Sequence, residues 1–80
     1  MKISVKIRKR KYLTLVVDDD QTIKDIKKKI EDKESIEIKH QSLFFNGIPL
    51  ENDRTLFDYM IRKDSTLYLY LRGNFITLYF

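Results

Sequence analysis

The hydrophobic period of this chain changes twice within 80 residues, and that change confines it to a mixed fold. Met1-Lys2-Ile3-Ser4-Val5-Lys6-Ile7 alternates apolar and polar residues, the period of a strand with one buried face. Ile23, Ile26 and Ile30 recur instead at helical spacing, with Lys24, Lys27, Lys28 and Lys29 expected largely outward. Thr66–Leu71 returns to the period of two. A chain this short forms one domain with a core of limited net stability. It has no cysteine and a single histidine, His40. Disulfides and a protein-only zinc site are therefore excluded as supports. Packing and hydrogen bonds must hold the fold.

The remaining elements fall between these anchors. Tyr12–Val17 reads as a second strand, and Arg8-Lys9-Arg10-Lys11 as the hairpin turn before it. That turn has no glycine or asparagine to take a positive φ, so it is expected to be strained or rearranged. Asp18-Asp19-Asp20 ends the strand and sets negative charge ahead of a helix, where the helix dipole favours it. Thr22-Ile23-Lys24-Asp25 has the pattern of a capping box, and the helix should end near Lys33–Ser35. Gln41–Phe45 is a third strand running into the turn Asn46-Gly47. Ile48-Pro49-Leu50 suits only a brief edge strand. Glu51–Asp64 is polar and should hold a short helical turn, with Leu56, Tyr59 and Ile61 inward. The order is strand, strand, helix, strand, short strand, strand: an α+β chain without repeats or linkers.

Composition removes several functions. The net charge of +4 arises from many charges of both signs, as on a soluble surface. Met1–Lys11 lacks the apolar run of a signal peptide, and no stretch approaches the ~20 apolar residues of a membrane span. A soluble monomer in cytoplasm or nucleus is expected. No enzyme and no cofactor are expected: there is no cysteine nucleophile, His40 has no sequence-level partner, and no glycine-rich phosphate loop is present. Lys2, Lys6, Arg8, Lys9, Arg10 and Lys11 cluster on one hairpin, a footprint that nucleic acid would use. Acidic residues at Asp18–Asp20 and in Glu31–Glu37 weigh against that partner.

Particular segments carry a more specific signal. Lys27-Lys28-Lys29-Ile30-Glu31-Asp32-Lys33-Glu34, Leu43-Phe44-Phe45-Asn46-Gly47, Leu50-Glu51, Arg54-Thr55-Leu56 with Asp58-Tyr59, and Ser65-Thr66-Leu67 resemble the ubiquitin family. The resemblance runs without a gap from Met1 to Arg72. It implies a β-grasp fold, a five-stranded mixed sheet packed on one α-helix, over residues 1–72, with 73–80 a divergent apolar tail. The implied core is Ile3, Val5, Leu15, Val17, Ile26, Ile30, Leu43, Leu50, Leu56, Ile61, Leu67 and Leu69. Fold alone does not decide between a conjugated modifier and a fixed binding module.

The resemblance also implies sites. The family is read through a shallow apolar patch ringed by basic residues, whose positions here are Arg8, Phe44, Gly47, Tyr68 and Tyr70. Leucine, isoleucine, histidine and valine of the family stand replaced by Arg8, Phe44, Tyr68 and Tyr70, so the patch becomes aromatic with a cationic flank. Phe44, Tyr68 and Tyr70 alternate away from Leu43, Phe45, Leu67, Leu69 and Leu71 and should lie on the outer face. The alternative reading is that these rings only brace neighbouring strands. A second family patch maps to Arg8, Ile36, Leu71 and Gly73. Lysines that link chains in the family map to Lys6, Lys11, Lys27, Lys29, Lys33 and Lys63, while Ile48 replaces the one used most. Partners of the ubiquitin-receptor or ubiquitin-enzyme type follow. Conjugated relatives carry a glycine pair that threads an enzyme channel. Here Arg72-Gly73 is followed by Asn74-Phe75-Ile76-Thr77-Leu78-Tyr79-Phe80. Conjugation is therefore not expected as written, and cleavage after Gly73 is the route that would restore it.

Overall fold

The computed structural model describes residues 1–72; the apolar tail and Gly73 lie outside the described residues. Strand β1 (Lys2–Arg8) pairs antiparallel with β2 (Lys11–Val16). Each is shifted by one residue from its expected bounds, and the register slips between Lys6 and Arg8. The glycine-free turn is indeed rearranged: Arg10 takes a φ of 65°, a conformation that costs a non-glycine residue free energy.

Helix α1 (Ile23–Glu34) starts at the expected cap. Thr22 Oγ1 accepts from the Asp25 N–H, and Asp25 Oδ2 accepts from the Thr22 N–H, satisfying two donors that the first turn leaves open. The helix ends at Ser35, held left-handed with φ 59°. A 3₁₀ turn at Ile38–His40 follows, which the periodicity did not signal. Strands β3 (Gln41–Phe45) and β4 (Ile48–Pro49) are joined through Asn46 and Gly47, at φ 51° and 77°, the left-handed pair that an Asn-Gly hairpin turn requires. A second 3₁₀ turn spans Phe57–Tyr59, and β5 (Thr66–Leu71) closes the sheet. The strand order is β2-β1-β5-β3-β4, with β1 and β5 parallel at the centre.

One face of this sheet packs on α1. All of the core positions implied by the sequence are buried there, and Ile7, Ile23 and Ile36 join them. Each such aliphatic side chain contributes about 2 kcal/mol of apolar burial. Phe45, Tyr59 and Leu71 are only half-buried against this core.

Two expectations are corrected. Lys27 does not turn outward; only 5% of it is exposed. Positions 23, 26, 27 and 30 form one helical stripe, and Lys27 lies within it, its stem packed and its Nζ bonded to Asn52 Oδ1 at 2.7 Å. Ile36 does not form a surface patch with Leu71, because the left-handed Ser35 cap turns the chain so that Ile36 is buried.

Candidate functional site: an aromatic face on the sheet

The strand register builds the site. Lys6 on β1 is opposite Tyr12 on β2 and Tyr68 on β5; Tyr68 is opposite Phe44 on β3, which is opposite Pro49 on β4. Residues opposite one another share a face of a sheet. Their neighbours Val5, Leu43 and Leu67 are buried, so this row of Tyr12, Lys6, Tyr68, Phe44 and Pro49 faces away from the core. Tyr70 and Ser42 pair beside it.

Within the face, the Phe44 ring meets Tyr70 edge-on, with centroids 5.2 Å apart and planes at 89°. That geometry aligns the positive edge of one ring with the negative face of the other. Phe44, Tyr68 and Tyr70 line a shallow hollow of about 550 Å³ with Ser42 and Gly47. Tyr68 and Tyr70 remain 41% and 59% exposed, so packing among the described residues leaves much of their area unused. Gly47 sits at the rim with open space where a Cβ would stand; its positive φ, not crowding, is what calls for glycine there.

Charge flanks the hollow on both sides. Toward β1 an adjoining hollow is lined by Lys6, Ile7, Arg8 and Lys9 together with Tyr68, Leu69 and Tyr70. Lys6 Nζ lies 5.9 Å from the Tyr12 ring centroid, a cation–π contact. Toward β4 a third hollow shares Ser42 and Phe44 and is lined by the exposed Arg72 and by Lys27, which is itself covered. Arg72 is fixed there by its backbone N–H to His40 O and by Nη2 to Lys39 O, 2.9 and 3.0 Å. Among the described residues no Asp or Glu lines any of these three hollows. All five residues expected at the patch therefore stand together, on a face with one sign of charge.

Tyr12 and Ser42 belong to this face and were not singled out from sequence. Hairpin parity contains the signal for Tyr12, since it alternates with Leu13 and Leu15 and opposes Lys6. The remaining candidates scatter. Lys11 forms an ion pair with Glu34 at 2.8 Å, which draws one charge away from the basic hairpin. Lys33 and Lys63 are exposed, Lys29 is half-buried, and Lys27 is covered. Among the described residues no group of three metal-ligating side chains converges, and no helix is long and apolar enough to cross a membrane.

A model described as the ubiquitin family matches residues 3–74. The chain belongs to the ubiquitin family. It is 35% identical over 71 residues to NEDD8-like protein RUB3 of Arabidopsis thaliana, covering 89% of this chain and 91% of that protein. The ubiquitin-like protein NEDD8 of Dictyostelium discoideum is 34% identical, covering 89% and 92%. The rat E3 ubiquitin-protein ligase UHRF1 is 38% identical over 52 residues, 65% of this chain and 7% of that protein. The likeness thus reaches nearly whole small proteins and also a short stretch of a much longer one. In this ubiquitin-like domain the aromatic hollow occupies the sheet face opposite the helix.

Proposed function

We propose that the chain is a ubiquitin-like interaction domain, bound by proteins of the ubiquitin pathway through Arg8, Phe44, Gly47, Tyr68 and Tyr70. The observation that supports this reading is the unspent aromatic area of Tyr68 and Tyr70 above the hollow. Aromatic side chains offer large contact area at small entropic cost and recur among the residues that dominate binding energy. The lining cations select a partner with an apolar centre and acidic flanks. A partner fitted to a smaller aliphatic patch meets different shape and charge here. The chain performs no reaction of its own in this reading. Arg72-Gly73 is followed by Asn74-Phe75-Ile76 and not by a second glycine, so in this reading it is not conjugated as its sequence stands.

The near full-length likeness to NEDD8-like proteins favours one second reading: a modifier joined through Gly73 after processing. Mass spectrometry of the protein recovered from its own cells separates the two. Intact chains with Phe75–Phe80 in place, and no Gly73 linked to a lysine, are expected for an interaction domain. Chains ending at Gly73 or linked through it overturn that reading and establish the modifier.

A further inference from the structure

A second apolar surface stands apart from the aromatic face. Phe57 and Met60 are 71% and 66% exposed, the former more than any tyrosine of the aromatic face. They border a hollow with Ile61 at its base and Asp19, Asp58 and Arg62 at its rim. It shares no residue with the hollows of the sheet. The geometry there is fixed and not incidental: Phe57 N–H donates to Asp19 O at 2.9 Å, and Met60 N–H to Phe57 O at 3.0 Å. Thr55 N–H donates to Asp58 Oδ2 and its Oγ1 accepts from Asp58 N–H, 3.0 and 3.1 Å, so Asp58 is held in place as a carboxylate. Asp18 and Asp20 extend the exposed negative charge along the adjoining loop. Among the described residues Arg62 is the single cation of the rim.

The two surfaces are complementary. One is aromatic with Lys6, Arg8 and Lys9 beside it; the other is apolar with Asp19 and Asp58 beside it. Exposed apolar patches bordered by polar residues mark contacts, and opposite rims steer and orient such contacts. We infer that the Phe57–Met60 surface of one copy docks on the aromatic face of a second copy, giving head-to-tail self-association. Such a contact is heterologous: a pair keeps one face of each kind unoccupied, one on each copy, and growth continues until a ring closes. A handful of side chains on each side puts it in the weak class, below about 1,200 Å² of buried surface. The monomer expected from sequence is then the dilute form.

The inference borrows the aromatic face from the proposed function but not its partner. Sedimentation equilibrium of the full chain tests it over a wide concentration range at low and high salt. Average mass should climb with concentration at low salt and fall back when salt screens the rims. Two variants, Phe57→Ser with Met60→Asn, and Tyr68→Ser with Tyr70→Ser, should each remain monomeric. Mixed in equal amounts, they should form a dimer and nothing larger, because each retains the face that the other lacks. All four positions are exposed, and Asn suits the left-handed backbone of Met60 (φ 59°). Asp19→Lys, which leaves the apolar pair intact, should also abolish association of the chain. A wild-type chain that is monomeric throughout, either paired variant associating alone, or a mixture that stays monomeric would overturn the inference. None of those results touches binding of pathway proteins at the aromatic face, which is read separately by titration with such a partner.

Discussion

Lys27 Nζ donates to Asn52 Oδ1 across 2.7 Å, so a mostly covered ammonium meets a neutral amide and not a carboxylate. Burial pushes the Lys27 ammonium below the ordinary lysine range, and the charge of Arg72 adds to the same direction. The free energy of folding inherits that shift. Between the lowered folded value and the unfolded value of 10.5, the unfolded chain binds more protons than the folded one, so stability rises with pH across that window. Below it the cost of the buried charge is fully present.

Asn52→Asp should therefore raise the Lys27 pKa and stabilise the chain at neutral pH by about 1 kcal/mol, the upper end for a partly exposed ion pair. It should also flatten the alkaline rise in stability. Urea unfolding at neutral and at alkaline pH measures both. Lower stability at neutral pH would show that the added carboxylate loses more hydration than it gains from Lys27.

Gln41 is fully buried, and its amide is the second polar group under the sheet. Nε2 donates to the carbonyls of Lys27 and Ile36, 2.9 and 2.8 Å, tying the helix to the segment after its cap. Gln41→Leu preserves volume but removes the donor from both carbonyls. An unsatisfied buried acceptor costs about 1–3 kcal/mol, so the urea midpoint should fall while the slope, set by the surface exposed on unfolding, stays constant. An unchanged midpoint would mean that the Lys27 and Ile36 carbonyls need no side-chain donor.

The reciprocal bonds of Thr22 with Asp25 and of Thr55 with Asp58 repeat one device at two places, and an isolated β-bridge joins the two threonines. The Thr55 N–H is the main reason that the Asp58 carboxyl titrates below its ordinary value of 3.8. A carboxylate with a lowered folded pKa stabilises above its unfolded value and loses that contribution as pH falls through the folded one. Asp58→Asn should thus lower stability at neutral pH and remove the acid-dependent loss, so that variant and wild type converge as pH falls through the folded value. Thr22→Ala should cost about 1 kcal/mol at every pH, as for other lost helix caps. Stability against pH, followed by circular dichroism, separates the two effects.

The core was legible because it rests on periodicity, and alternation at β1 and β5 with the isoleucine stripe of α1 named most of it. The same alternation placed Phe44, Tyr68 and Tyr70 outside. Lys27 was missed because residue type outweighed position: its spacing from Ile23 and Ile30 fits the buried stripe, but a lysine reads as solvated. Gln41 was missed for a related reason, since its burial depends on two backbone carbonyls distant in sequence. Ile36 became buried through the left-handed turn at Ser35, and no pattern in neighbouring residues encodes that. The Phe57–Met60 surface lies in a polar stretch without period, where only the folded chain brings Asp19 beside Phe57.

The aromatic face makes a prediction that distinguishes its two rings. Tyr70 is 59% exposed, whereas Phe44 is half-buried with its edge contact to Tyr70. Truncating Tyr70 removes that pair, worth about 0.5–1.5 kcal/mol, and little else from the fold. Truncating Phe44 removes the same pair and also the packing beneath it, so its stability loss should be the larger by about 1 kcal/mol. In binding to a partner with an apolar centre and acidic flanks, Phe44→Ala and Tyr70→Ala should both weaken affinity by roughly tenfold or more, as for residues central to an interface. Lys9→Ala, at the rim, should mainly slow association and soften its salt dependence. Thermal unfolding with surface-plasmon kinetics of the same variants gives both readouts. Equal affinity in wild type and Tyr70→Ala, with stability clearly reduced, would make the rings a brace between strands and remove them from the binding surface.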